Sequence, residues 1–187
     1  NEEVLLITIK DLQSKKVVTF AQTKYGEYKS PRSDVTMINC RDEQHMLKEF
    51  MIWWQGNYPD VITGWNTDFF DNVYLIHRIQ RELGDTFANK ISPWGYVNQR
   101  KTFIKGNEEI HYDILGISQL DYLELYKKYT YTKQESYRLD YIAQEELGDK
   151  KKENPGNDFK DFYTNYWKDF VEYNIHDVEL VDKLEDK

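Results

Sequence analysis

The sequence is poor in cysteine. Cys40 stands alone, so it forms no internal disulfide and builds no zinc cluster, which fits a reducing compartment. Four histidines, His45, His77, His111 and His176, show no metal-ligand spacing with one another. No apolar run approaches the roughly 18 residues that cross a bilayer. No basic-then-apolar leader opens the chain, so neither secretion nor a membrane partner is expected. Glycine-rich phosphate loops and Gly-x-Ser-x-Gly elbows are missing too. Positive charge is in deficit: 33 acidic residues face 25 basic ones, a net charge of −8. This excludes a protein that grips nucleic acid by bulk electrostatics. It does not exclude a nuclease whose acidic site takes its positive charge from bound cations.

What is present is apolar and aromatic. Hydrophobic residues make up 40% of the 187 and aromatics 16%, enough for a core built largely from amphipathic rings. "VLLITI" (Val4–Ile9) and "VVTFA" (Val17–Ala21) read as an antiparallel hairpin, and "VTMINC" (Val35–Cys40) as a third strand. Met46, Leu47, Phe50, Met51 and Trp54 fall at helical spacing. "VITGW" (Val61–Trp65) has the nearly all-apolar look of a strand buried inside a sheet. A helix is expected from about Phe69 to Leu83, and a second hairpin turning at "KGNE". Helices are expected over "SQLDYLELYKKY", over "SYRLDYIAQEELG" with Ser136 as its N-cap and Gly148 just past its end, and from Asp158 to the terminus. The chain opens at Asn1 almost directly into a strand and stops at "KLEDK" while a helical pattern is running. The expectation is one domain over residues 1–187, excerpted from a longer chain.

Two constellations could carry chemistry. In "TGWNTDFFD" (Thr63–Asp71) a strand ends in Gly64, the chain turns, and Asp71 falls at the start of a helix. Ligands bind at the carboxyl ends of strands in α/β sheets. Equally, Asp68 or Asp71 can simply cap that helix. In "EYNIHDVELVD" (Glu172–Asp182), Tyr173 and Asp177 are four apart and share one helix face. The carboxylate can hold a hard divalent cation and the phenol can orient a water. Such a pair also arises by chance in any tyrosine-rich helix. Asp177 and Glu179 spell Asp-x-Glu but point apart on a helix, and His176 is turned roughly 100° from Asp177.

Together the two segments resemble the second and third exonuclease motifs of B-family DNA polymerases: an Asn followed shortly by Phe-Asp, then Tyr-x-x-x-Asp about a hundred residues later. "ISPWG", "GISQLDYLELYKKYTYT" and "ESYRLDYIAQEEL" are similar to the T-even-type bacteriophage members of that family. The resemblance implies an α/β, RNase H-like fold of the DEDDy exonuclease kind, a mixed sheet flanked by helices with an inserted β-hairpin. It implies a proofreading 3′–5′ exonuclease domain that hydrolyses the terminal nucleotide of DNA with two Mg²⁺ or Mn²⁺ ions. Asp71 and Asp177 take the metal-ligand roles, and Tyr173 positions the attacking water. Asn66 contacts the terminal nucleotide. Phe70, Arg100 and Lys152 are the further DNA-side residues, Phe70 chiefly packing beneath the site and Arg100 lying on the hairpin. The implied partners are the single-stranded 3′ end of a primer and the rest of the polymerase chain, in the cytoplasm of an infected host cell.

The sequence departs from the family pattern at the first motif. An Asp-x-Glu on the first strand supplies two further carboxylates in the family; Asn1-Glu2-Glu3 does not provide it. Catalysis by the chain as it stands is therefore expected to be crippled. Two other readings stay open: a stand-alone 3′–5′ exonuclease acting on RNA or oligonucleotides, and a non-catalytic DNA-binding module of the same fold.

Overall fold

The computed structural model describes residues 2–104, 106–149 and 154–187, which fold as two compact units. Lys152 lies outside the described residues.

The unit of residues 5–46 and 133–187 is built on a three-stranded sheet in the order β1 (Leu6–Lys10), β2 (Val17–Gln22), β3 (Val35–Cys40). β1 and β2 pair antiparallel as the hairpin pattern predicts, while β2 and β3 pair parallel. β2 is the central strand, and Val17, Thr19, Phe20, Ala21 and Gln22 are all buried. The long helix α7 (Trp167–Glu185) carries Trp167, Phe170, Val171 and Ile175 into one core cluster with Val17, Ala21, Val35 and Phe162. Full burial of each such side chain contributes about 1.5–3 kcal/mol. α5 (Leu139–Leu147) ends on Gly148 in the left-handed conformation, as expected of a C-terminal glycine. Its start differs from expectation: the helix begins at Leu139, and the Ser136 hydroxyl instead accepts the Arg138 N–H in the preceding turn.

The expected single terminal helix is two. α6 (Phe159–Asn165) starts on Asp158, whose side chain accepts the Asp161 N–H, and Tyr166 interrupts the run before α7. The break has a packing reason. It allows Phe162 to meet both Phe170 and Tyr173 edge-on, at centroid distances of 5.3 and 5.6 Å.

The other unit, residues 1–4 and 47–132, holds two small sheets. α1 (Glu43–Gly56), in which the unit boundary falls, buries Met46, Leu47, Phe50, Met51 and Trp54 at the expected helical spacing. The Trp54 indole N–H donates to the Ile91 carbonyl at 2.8 Å. The inserted hairpin is present: β5 (Val97–Ile104) pairs antiparallel with β6 (Asn107–Ile114), Ile104 standing opposite Asn107; Lys105 of "KGNE" lies outside the described residues.

β4 (Val61–Gly64) pairs parallel with β7 (Ser118–Asp121). Two expectations fail at this pair. The segment "SQLD" is a strand rather than the first turn of a helix, so α4 is only Tyr122–Tyr129. Its Gln119 side chain bridges to β6, donating to the Tyr112 carbonyl and accepting the Ile114 N–H, both at 2.8 Å. Nor is β4 deeply buried. Among the described residues it has one hydrogen-bonded neighbour, and Val61 is 49% exposed.

Candidate active site

The chain leaves β4 through a crowded turn. A Cβ on Gly64 would lie 2.3 Å from Thr67 Cγ2, so this position has no room for a side chain as the turn stands. Asn66 follows in the left-handed region, φ 62° and ψ 31°, which asparagine tolerates better than most residues. Thr67–Asp71 then form one π-helical turn before α2 (Asn72–Leu83) begins. Isolated π turns often occur at functional sites.

A residue outside both motifs holds this turn. Asp121 stands opposite Gly64 in the β4–β7 register and is buried, 5% exposed. Its Oδ1 accepts the N–H of Asn66 at 2.9 Å and of Leu123 at 3.0 Å; its Oδ2 accepts the N–H of Asp68 at 3.1 Å. One carboxylate thus caps α4 and ties down the strand-to-helix turn. The only sequence signal for it is an aspartate two residues before Leu123, an N-cap pattern masked by the apparent helical run of "SQLDYLELYKKY". The rings of Tyr122 and Tyr126 approach Trp65 at 6.2 and 5.8 Å, giving the turn an apolar flank.

Asp71 does not cap α2. It has helical φ and ψ and makes no side-chain cap bond. Surface area leaves it exposed, yet the protein crowded around the carboxyl and the nearby Asp121 push its pKa up to about 6. Burial and Asp121 also raise the Asp68 carboxyl, which accepts the Asn72 side-chain amide at 3.5 Å.

Phe70 is a correction. It does not pack beneath the site; it is 63% exposed, and its ring stacks on Tyr74 at 6.3 Å. By helical spacing Phe70 falls well off the stripe of Ile76 and Ile79, the buried apolar positions of α2, so that stripe does not draw it inward. Arg100 is exposed on β5 and engages Asp113 through two contacts, Nε–Oδ2 at 2.5 Å and Nη2–Oδ1 at 2.6 Å. It has to exchange this partner to reach a phosphate.

Tyr173 and Asp177 both lie on α7, each half-buried. Tyr173 is packed against the core cluster of its unit. Polar contacts fix the rotation of α7 about its axis. Tyr28 and Ser30 hydroxyls donate to Glu172 Oε1 at 2.8 and 2.9 Å. Arg32 pairs with Glu179 at 2.5 Å, and Lys10 and Lys15 pair with Asp182 at 2.7 and 2.8 Å. His176 lies beside Asp149, Nε2 to Oδ1 4.0 Å, and Lys183 binds the other oxygen of Asp149 at 2.9 Å. Among the described residues, no three histidine, cysteine, aspartate or glutamate side chains are arranged to hold a metal ion, and no helix is long and apolar enough to cross a membrane.

Comparison with known proteins completes this picture. Residues 1–142 match the family described as DNA polymerase family B, exonuclease domain, a span that includes Asn66, Asp71 and Asp121. The chain is 38% identical over 152 residues to the DNA-directed DNA polymerase of Escherichia phage RB69, covering 78% of this chain and 16% of that one. It is 36% identical over 147 residues to the enzyme of the same name from Enterobacteria phage T4, covering 77% and 16%. The DNA polymerase catalytic subunit of varicella-zoster virus (strain Dumas) is 26% identical over 167 residues, covering 80% and 13%. The chain therefore spans only about a sixth of the length of the phage relatives it matches.

Proposed function

The chain belongs to the exonuclease domain family of family B DNA polymerases, and from that membership we propose that residues 1–187 form one 3′–5′ exonuclease domain of a phage replicative polymerase, with the RNase H-like fold of the DEDDy group. It removes the terminal nucleotide from a single-stranded 3′ end of DNA during replication in the host cell. The observation that carries this reading is the Asn66–Asp71 turn: an uncapped carboxylate and a left-handed asparagine, both exposed, at the carboxyl end of a strand.

The roles follow from the chemistry of each group. Asn66 offers an amide to the terminal nucleotide. The exposed Phe70 ring gives a base a surface to stack on, and Arg100 on the hairpin offers a charge to the backbone. Tyr173 orients the attacking water with its phenol. Lys152 is a further DNA contact. A mismatched terminus has already lost part of its stacking, so it reaches such a site at lower cost. That difference is the physical basis of proofreading.

Exonuclease domains of this family generally use divalent metal ions, with Mg²⁺ or Mn²⁺ the expected pair here. Asp71 and Asp177 offer the hard oxygen ligands such ions take. Two carboxylates balance the charge of two divalent ions poorly, so residues 1–187 by themselves bind DNA and hydrolyse it slowly.

A labelled single-stranded oligonucleotide tests this directly. The expected result is binding of the 3′ end of DNA, with slow but measurable shortening in Mg²⁺ or Mn²⁺. Rapid stepwise shortening abolished by Asp177→Ala would show that the carboxylate set is sufficient without a first motif. Faster cleavage of RNA would replace the reading with a ribonuclease, and binding without shortening under any metal would leave a DNA-binding module. No binding of single-stranded DNA would end it.

A further inference from the structure

Asp121 belongs to neither exonuclease motif, yet the turn that bears Asn66 and Asp71 hangs on it. We propose that Asp121 is a positioning residue of this site: its carboxylate grips the Asn66 and Asp68 amides and so fixes how Asn66 and Asp71 are presented to a single-stranded 3′ end. The inference rests on the proposed exonuclease reading and deepens it.

Four observations converge on Asp121. It lies directly across the β4–β7 ladder from Gly64, the last residue before the chain turns. Its two oxygens reach the amides of residues two and four places beyond that glycine. The same Oδ1 receives the first-turn amide of α4, so the carboxylate is itself anchored to a helix. It is buried, so water competes little for those amides. Nothing within the turn replaces it: Asn66 makes no side-chain cap bond, and neither does Asp71. Without the carboxylate, the Asn66 and Asp68 amides lose the acceptor that holds Asn66 at φ 62° and fixes the start of the π turn.

A purely structural cap would make the same bonds, so the test must separate the two roles. Wild-type chain labelled with ¹⁵N is compared with Asp121→Asn, which keeps the shape and one acceptor oxygen, and with Asp121→Ala. In the wild type, the Asn66 and Asp68 amides are expected downfield and protected from hydrogen exchange. In Asp121→Asn, both are expected to move upfield and lose protection, while affinity for a single-stranded oligonucleotide falls about tenfold, the scale of one charged hydrogen bond. If the amides move and affinity is unchanged, Asp121 is only a cap and the proposal is overturned. Unmoved amides in Asp121→Asn overturn it as well. Should both variants fail to fold, wild-type Asn66 and Asp68 amides that exchange as freely as exposed loop amides would overturn it without any variant. A wild type that binds no single-stranded DNA sinks the exonuclease reading itself, a failure distinct from that of the amide signature.

Discussion

The Asn66–Asp71 turn in one unit and the α7 helix in the other each present one motif carboxylate, but by different physical means. On α7 the backbone is regular. Asp177 is placed because Val171, Ile175 and Leu180 are buried on the core face and because Glu172, Glu179 and Asp182 are tied to Tyr28, Ser30, Arg32, Lys10 and Lys15. Many modest contacts share the task. At the turn the backbone is irregular, with a left-handed asparagine and a single π turn, and one buried carboxylate holds it. A helix face distributes its dependence; a turn concentrates it.

Four tests, using five substitutions, break or sharpen that contrast. The largest effect is expected from Ile175→Ala, which empties a fully buried position on α7 and should cost about 3 kcal/mol in urea unfolding. The loss should be global, because the α7 contacts are the core of their unit. Gly64→Ala comes next. Its methyl meets Thr67 Cγ2, and the strain should cost about 1–3 kcal/mol. Thr67→Ser removes that methyl, so the double variant should recover most of the loss in the same unfolding experiment. Recovery would show the turn to be limited by one contact.

Third is a pH test on α7. Burial works to raise the Asp182 carboxyl, but hydrogen bonds from Lys10 and Lys15 outweigh it and hold the group below its ordinary value. A depressed folded pKa contributes stability above the unfolded value near about 4 and loses it as pH falls through the folded value. Melting temperatures of wild type and Asp182→Asn should therefore differ at neutral pH and converge below about pH 4, with a gap of about 1 kcal/mol or less at neutrality. The smallest effect belongs to Asn66→Gly. Glycine takes the left-handed conformation freely, so stability should stay within about 0.5 kcal/mol while binding of single-stranded DNA weakens. Unchanged binding would remove Asn66 from the site.

The same contrast governs what the sequence makes legible. The buried positions of α1, the β1–β2 hairpin, the β5–β6 hairpin and the glycine end of α5 follow from periodicity and turn chemistry, which are local. β7 was hidden because "SQLD" joins smoothly onto a helical pattern, and its strand state is decided by β4, 57 positions earlier in the register. The break at Tyr166 was hidden because ring packing on Phe162, not backbone preference, requires it. Phe70 is exposed because it lies off the stripe of Ile76 and Ile79, which helical spacing alone makes visible. Asp71 stands in a motif that draws the eye, whereas nothing marks Asp121, whose bonds go to backbone amides that look alike in every sequence.

The span between Asp121 and the turn it holds also has a meaning in time. Asn66 and its acceptor are 55 residues apart. At about 5–20 residues per second, a ribosome makes the turn roughly 3–10 s before the carboxylate that completes it. Closing so long a loop carries an entropic cost that grows slowly with its length. During synthesis, the Asn66–Asp71 segment therefore lacks its acceptor, and it gains a fixed turn only when β7 adds beside β4.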